Sequence, residues 1–179
     1  MHSKNQPKKS LMELVQYIEQ HHRKIKAKLL KLQTLLAEAA ELHKDEHGSI
    51  SSLQEFFPVF KTKMEDHFAS EERTLIPYIR QMDEFDKNRG TKPEFHLGSI
   101  KNPISRLEYE HDQTENVMFA KIRTETNNYR LPPGTGDIFK ALYDGLKDIE
   151  TNISEHIYLE NNVLFPLAIN LELQLIHKK

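Results

Sequence analysis

Apolar residues recur at every third or fourth position over most of the chain, which is the pattern of amphipathic helices. The first such stretch predicts a helix from about residue 10 to about residue 47, ended by Gly48. A second helix is expected to begin at Ser51 or Ser52, since either residue is a suitable N-cap. Pro58 falls within the first turns of this second helix or kinks it.

Two further helices are predicted in the second half of the chain. The segment EFDKNRGTKPEFHLG, residues 84–98, combines Gly, Pro and charge without periodicity, so we expect a crossover loop there. The third helix is expected to begin near Asn102 or Pro103 and the fourth near Asp137. Four long helices with two short connections and one longer one predict an all-α fold, an antiparallel four-helix bundle.

The length and composition set limits on this fold. A chain of 179 residues fits one domain, and we assign residues 10–170 to the bundle and residues 1–9 and 171–179 to tails. The chain has no Cys, which excludes disulfides and thiolate ligands, so any metal must be bound by nitrogen and oxygen. The formal charge of −2, with both signs abundant, gives no electrostatic basis for binding nucleic acid.

The start of the chain lacks the continuous apolar segment of a secretory signal. No apolar run is long enough to span a bilayer. We therefore expect a cytoplasmic protein, monomeric, with neither a membrane nor a nucleic acid as its partner.

An internal repeat places the histidines. Sliding the sequence against itself by 89 residues, without a gap, superposes three pairs of polar residues: His22 on His111, His67 on His156 and Glu71 on Glu160. The same offset superposes apolar core positions along both halves of the chain. The bundle is therefore predicted to consist of two copies of a helical hairpin.

The repeat also brings its polar residues to one level of the bundle. Each hairpin supplies one His from its first helix and a His-x-x-x-Glu from its second, and 45 residues separate the two histidines in both copies. Residues four apart lie on one helix face. About 20 residues down one helix and about 20 up the next return the chain to the same height. We expect six side chains to meet in the core, namely His22, His67, Glu71, His111, His156 and Glu160.

Four imidazoles and two carboxylates without a thiolate suit a pair of first-row metal ions, iron above all. Glu71 and Glu160, related by the pseudo-twofold axis of the repeat, are expected to bridge two non-haem iron ions, with two histidines terminal on each. Open coordination positions would then accept an oxo or hydroxo bridge and a small diatomic molecule. Without metal, burying these six groups would carry a heavy desolvation cost.

The other histidines have simpler interpretations. His43 lies 21 residues beyond His22 in the sequence. That spacing corresponds to about 31 Å along a continuous helix, too far for both to reach one cluster. His43 and His47 are therefore expected at a helix C-terminus, where an imidazole interacts favourably with the carbonyl end. His21 lies about 100° around the helix from His22 and has no histidine partner in the repeat.

Acidic residues next to the six candidates are expected on a solvated face. These are Glu72, Glu110, Asp112, Glu115 and Glu155. Asp112 and Glu155 are the two for which a role in orienting an imidazole ligand is considered. A lone His-x-x-x-Glu is more often a surface pair than a metal site. Two copies with matched upstream histidines favour the metal site.

Several segments resemble the hemerythrin-like di-iron domain of bacterial proteins for the repair of iron centres. They are HHRK at 21–24, DHFASEERTLIP at 66–77, EHDQTE at 110–115 and HIYLENNVLFP at 156–166. The resemblance covers about residues 10–170 and implies a non-haem di-iron centre in a four-helix bundle. The ligands that it implies are the six selected by the repeat. Many members carry an N-terminal module with a Cys pair, for which this sequence has no counterpart.

The resemblance implies a role in restoring iron–sulfur clusters damaged by nitric oxide or oxidants, by donation of iron. Damaged iron–sulfur proteins are then the expected partners. One alternative is a protein that reversibly binds or senses oxygen or nitric oxide. A second alternative is a metal-free helical module for protein interaction. The sequence leaves open whether the protein is an enzyme.

Overall fold

The computed structural model describes residues 10–42, 48–94 and 98–176, and this part of the chain contains helices and no strands. Four long helices follow one another along the chain. Their bounds are α1 Leu11–Leu42, α2 Gly48–Asp86, α3 Lys101–Glu125 and α4 Asp137–Ile176. The all-α four-helix bundle predicted from the periodicity is confirmed.

The helix starts follow from local sequence. Ser10 and Glu13 form a reciprocal capping box, in which each side chain accepts the backbone N–H of the other, at 3.2 Å and 2.7 Å. Helix α2 begins at Gly48, so the predicted N-cap at Ser51 or Ser52 is wrong. The helix extends further because Ile50 is buried in the core and gains from a helical backbone that directs it there. The predicted positions of His43 and His47 lie outside the described residues.

Each of the last three helices contains one π-helical turn of five residues. The turns lie at Glu71–Leu75 in α2, Thr114–Met118 in α3 and Glu160–Leu164 in α4. In α2 and α4 the turn begins at a repeat glutamate and is followed within two residues by Pro77 or Pro166. Proline lacks an N–H and clashes with the carbonyl four residues before it, and a wider turn relieves that clash. The repeat is imperfect here, because α1 is α-helical at the positions equivalent to 114–118.

The bundle core consists of two apolar layers. The larger layer contains Ile25, Phe60 and Ile153 among its residues, and the smaller contains Ile18, Ile79 and Phe165. Along α1 and α3 the smaller layer comes first, whereas along α2 and α4 the larger one does. This alternation shows that consecutive helices are antiparallel. The six polar candidates fall between the two layers on all four helices.

The last helix extends beyond the predicted bundle. Helix α4 continues to Ile176, and both Glu172 and Leu175 are buried. The prediction of a tail from residue 171 is therefore wrong for residues 171–176, because burial of Leu175 extends the helix. In the described part of the chain, no helix is both long and apolar enough to cross a lipid bilayer.

Candidate metal centre

The structure brings the six predicted side chains together at one level of the bundle. Helix α1 supplies His22, α2 supplies His67 and Glu71, α3 supplies His111, and α4 supplies His156 and Glu160. None of the six side chains is more than 5% exposed. Such burial is unusual for ionisable residues unless they are paired or bind a metal. Their role as metal ligands stays a prediction.

The six residues form two groups with two members in common. One group contains His22, His156 and both glutamates, and the other contains His67, His111 and both glutamates. In each group one potential ligand atom per residue lies within 4.8 Å of all the others. Each histidine pair therefore takes one member from each hairpin.

Each glutamate presents its two oxygens to different groups. Glu71 Oε2 lies 3.1 Å from His22 Nε2, and Glu71 Oε1 lies 3.4 Å from His67 Nε2. Glu160 Oε1 lies 3.1 Å from His156 Nε2, and Glu160 Oε2 lies 3.2 Å from His111 Nε2. This is the arrangement in which two carboxylates can bridge two cations.

The hydrogen bonds of the glutamate oxygens and histidine Nε2 atoms indicate whether the site suits a bound cation. Within the described chain, the four oxygens of Glu71 and Glu160 and the Nε2 atoms of His22 and His156 have no hydrogen-bond partner. The Nε2 atoms of His67 and His111 face each other at 3.0 Å. A buried carboxylate without a donor costs free energy, and a metal ion would remove that cost. The donor set of imidazole and carboxylate suits divalent first-row metals.

The opposite ring nitrogens of three histidines are held by neighbouring side chains. His22 Nδ1 lies 2.9 Å from a Glu72 oxygen, and His67 Nδ1 lies 2.8 Å from a Glu110 oxygen. His111 Nδ1 lies 2.7 Å from Asn161 Oδ1. Because an ionised carboxylate can only accept, Nδ1 of His22 and His67 must carry the proton. Nε2 of each ring is then the nitrogen that faces the centre and would bind a metal ion.

These partners differ from the two that the sequence suggested. Asp112 and Glu155 are exposed, and Asp112 accepts a hydrogen bond from Asn116 at 2.6 Å instead. The expectation that Glu72 and Glu110 lie on a solvated face is also wrong, since both are partly buried against the rings of His22 and His67. One signal was present in the sequence: Glu72 and Asn161 each directly follow a repeat glutamate.

The ionisation of the acids follows from these contacts. The hydrogen bond from His67, with help from Arg106, lowers the pKa of Glu110 to about 2 despite partial burial. Burial acts to raise the pKa of Glu160, but the charge of His156 and the adjacent imidazoles of His111 and His22 outweigh it, and the pKa lies well below its ordinary value. Glu110 and Glu160 are therefore both ionised, and for Glu160 this is the form that binds cations.

A cleft of about 310 Å³ lies between α2 and α3 beside one of the two groups. His67 and Thr114 are at its inner end, and Lys63, Arg106 and Tyr109 line it further out. Thr114 begins the π-helical turn of α3, which has no counterpart in α1. The cleft therefore extends from exposed residues to His67, one of the six candidates.

Buried histidines and shared glutamates on facing helices are the features of helical bundles that bind cations between their helices, and this fold and site have them. Comparison with known families makes this more specific. The sequence model described as the hemerythrin HHE cation binding domain matches residues 13–168, so the chain belongs to this family.

Among curated proteins, the chain is similar to iron-sulfur cluster repair protein YtfE of Cronobacter sakazakii (strain ATCC BAA-894) and of Escherichia coli O1:K1 / APEC. Both are 29% identical to it over 157 residues, which is 87% of this chain. The matched part is 62% of the first relative and 63% of the second, so the chain spans less than two thirds of their length. The predicted resemblance to the family is confirmed.

Proposed function

We propose that this protein binds two non-haem iron ions, joined by an oxo or hydroxo bridge, and donates iron to damaged iron–sulfur clusters. His22 and His156 would bind one ion, and His67 and His111 the other. Glu71 and Glu160 would bridge both. The observation that carries the proposal is the pair of buried donor groups that share both carboxylates.

The family and the names of the relatives support this function. The matched relatives are named for iron–sulfur cluster repair, and the similarity covers nearly all of this chain. We extend the proposal to conditions of nitric oxide or oxidative stress, in which such clusters are lost. Damaged iron–sulfur proteins of the cytoplasm are the proposed partners, and a monomer is the proposed state of the protein.

The residues of the centre have separate tasks in this proposal. Iron bound here would supply an exchangeable, redox-active metal to an acceptor protein. The four imidazoles and two glutamates would bind two divalent ions. The two negative charges of the glutamates would balance only part of the positive charge of these ions. Glu72 and Glu110 hold two rings in the tautomer that presents Nε2 to the centre. The two apolar layers exclude bulk water from both sides of the site.

The test is transfer of iron to an acceptor that lacks its cluster. The reduced protein, purified and loaded anaerobically, is incubated with apo-ferredoxin, sulfide and a thiol reductant, and the ferredoxin absorbance is followed. We expect cluster formation together with loss of iron from the protein. Asp112→Asn, at an exposed acid next to His111, serves as the matched control and should donate as well as the wild type. Retention of both irons beside a ferredoxin that stays apo would contradict donation.

A second candidate function is reversible binding of oxygen or nitric oxide, and the cleft between α2 and α3 favours it. The cleft leads from the surface to His67. Stopped-flow spectra of the reduced, iron-loaded protein separate the two functions. A stable adduct that is lost again when the gas is removed supports binding or sensing. Rapid and irreversible oxidation by oxygen argues against it. Iron content well below that of a loaded site would instead favour the metal-free interaction module.

A further inference from the structure

The pseudo-twofold axis of the repeat relates the neighbours of the histidine rings as well as the rings themselves. The offset of 89 residues pairs Glu72 with Asn161, the two side chains that contact Nδ1 of His22 and His111. The same offset pairs Glu110 with His21. Glu110 contacts Nδ1 of His67, whose repeat counterpart is His156. The repeat thus assigns His21 as the neighbour of His156.

The structure places His21 in that position. The rings of His21 and His156 meet edge to face, with their centroids 5.4 Å apart. His21 is only 7% exposed, and His156 is completely buried. A carboxylate has therefore been replaced, relative to the other hairpin, by a second imidazole that cannot carry negative charge.

Within the part of the chain that the structure describes, each of the rings of His21 and His156 has a buried nitrogen without a hydrogen bond. Nδ1 of His21 and Nδ1 of His156 both lack a hydrogen-bond partner among the described residues. The other three histidines of the centre each have an oxygen acceptor within 2.9 Å of Nδ1. An oxygen acceptor at Nδ1 fixes the ring and raises the basicity of Nε2. His156 has neither advantage.

From this contrast we propose that His21 is a positioning residue that leaves His156 the most weakly held of the four imidazoles. The iron bound by His22 and His156 is consequently the one that the protein gives up first. The iron bound by His67 and His111 stays longer, because Glu110 and Asn161 support both of its imidazoles. This inference rests on the proposed function, in which two iron ions are bound and donated.

The asymmetry gives the two halves of the repeat different tasks. His22 and His67, both in the first hairpin, have carboxylate neighbours, whereas His111 and His156 in the second have an amide and an imidazole. A carboxylate is a stronger acceptor than either of these groups. The first hairpin therefore holds its ligands in place, and release begins at His156 in the second.

The experiment measures iron release in two phases. The protein, loaded anaerobically with ferrous iron, is mixed with excess ferrozine, and the coloured complex is followed. The wild type is expected to release its iron in a fast and a slow phase of equal amplitude. His21→Glu, which restores the counterpart of Glu110, should slow the fast phase ~10-fold. His21→Gln, which offers a neutral oxygen acceptor of similar size, should slow it by a smaller factor.

A matched variant assigns the phases to the two sites. Glu110→Gln weakens support of His67 and should accelerate only the slow phase, by ~10-fold. Mössbauer spectra of protein loaded with ⁵⁷Fe supply a readout that a loss of packing would not reproduce. His21→Glu should shift one of two iron signals and leave the other in place. Circular dichroism of each metal-free variant checks that the bundle is folded.

The outcomes separate this inference from the proposed function. A wild type that binds fewer than two irons contradicts the proposed di-iron site itself. Two bound irons with release rates that neither His21→Glu nor His21→Gln alters would contradict only the role of His21. A change confined to the slow phase would also overturn it. If His21→Glu fails to fold, His21→Gln decides the question by the same measurement.

Discussion

The two oxygens of Glu71, and likewise those of Glu160, face different histidines, so these two positions should be the most sensitive to substitution in the candidate centre. Each carboxylate serves both groups with one oxygen apiece. An amide of the same shape offers one oxygen and a donor in place of the other. A change of one atom is therefore expected to affect both of the proposed cation sites.

Glu71→Gln is expected to leave the protein unable to retain two irons per chain after gel filtration. The amide removes one negative charge and one of the two bridging oxygens. Elemental analysis of the anaerobically loaded protein measures the result. Glu155→Gln, at an exposed acid next to His156, is the control and should bind iron like the wild type. Full loading of the Glu71 variant would show that the carboxylate is not a bridge.

Glu72→Gln tests the hydrogen bond that holds the ring of His22, and leaves the proposed ligand His22 itself unchanged. The Glu72 carboxylate accepts from His22 Nδ1 at 2.9 Å and from Lys26 Nζ at 3.0 Å. Removing its charge is expected to weaken iron binding ~10-fold. The measurement is competition with a chelator of known affinity. Lys26→Gln removes the exposed side of this contact and should have little effect, since such partly exposed ion pairs contribute at most about 1 kcal/mol.

At the scale of elements, one buried carboxylate joins three parts of the chain at the end of the bundle that contains the smaller apolar layer. Glu172 in α4 accepts hydrogen bonds from the Tyr78 hydroxyl, the Ser99 hydroxyl and the Ile100 backbone N–H, at 3.1, 2.6 and 2.8 Å. These donors belong to α2 and to the end of the crossover before α3. The crossover is thus held against the last helix by a group that the sequence placed in a tail.

Glu172→Gln should destabilise the metal-free protein by about 1–3 kcal/mol, because the amide lacks the negative charge and offers one acceptor oxygen in place of two. Chemical denaturation followed by circular dichroism measures the free energy of unfolding. Glu38→Gln, at an exposed position of α1, is the control, with an expected change within about 0.5 kcal/mol. Equal stability of the two variants would mean that the contacts of Glu172 contribute nothing net.

Tyr78 gives this end of the bundle a dependence on alkaline pH. Burial raises the pKa of Tyr78 to about 12, and the carboxylate of Glu172 acts in the same direction. In the unfolded chain the phenol ionises near its ordinary pKa of about 10. Between these values the unfolded state binds fewer protons, so stability falls as pH rises from about 10 to about 12 and is unaffected below.

Tyr78→Phe removes this ionisation, and the variant should lose less stability than the wild type over the same interval. Free energies of unfolding at about pH 9 and about pH 11 measure the difference. The comparison between the two proteins isolates Tyr78 from the other tyrosines, which both chains share. Parallel pH profiles for wild type and variant would contradict the assignment.

At the scale of the whole molecule, the centre joins all four helices and both hairpins at one level. Each histidine pair crosses from one hairpin to the other, and both glutamates serve both pairs. A ligand that binds only the folded protein stabilises it in proportion to its occupancy. Bound metal would therefore act on the association of the hairpins and not on one helix alone.

Loading with ferrous iron should raise the free energy of unfolding by about 3 kcal/mol at a free concentration 100 times the dissociation constant. Anaerobic thermal unfolding with and without iron measures this effect as an increase in melting temperature. A chelator should reverse it. Iron that binds without raising the melting temperature would indicate surface sites, and would contradict a centre between the helices.

The sequence by itself determined the helices and the six residues that meet between them. Periodicity depends on local geometry, so it predicted all four helices and the start of α4 at Asp137. The 89-residue repeat selected His22, His67, Glu71, His111, His156 and Glu160 because helix rise converts spacing into height. The position of a residue along a helix axis follows from its number in the sequence, whatever the neighbouring helices are.

Only the tertiary structure decided which groups contact each other across helices. It paired His22 with His156 and His67 with His111, and it placed Glu72, Glu110 and Asn161 on ring nitrogens. It also placed His21 against His156 and extended α4 to Ile176. These contacts depend on the order of helices around the bundle and on rotamers set by packing, which spacing along the chain does not specify.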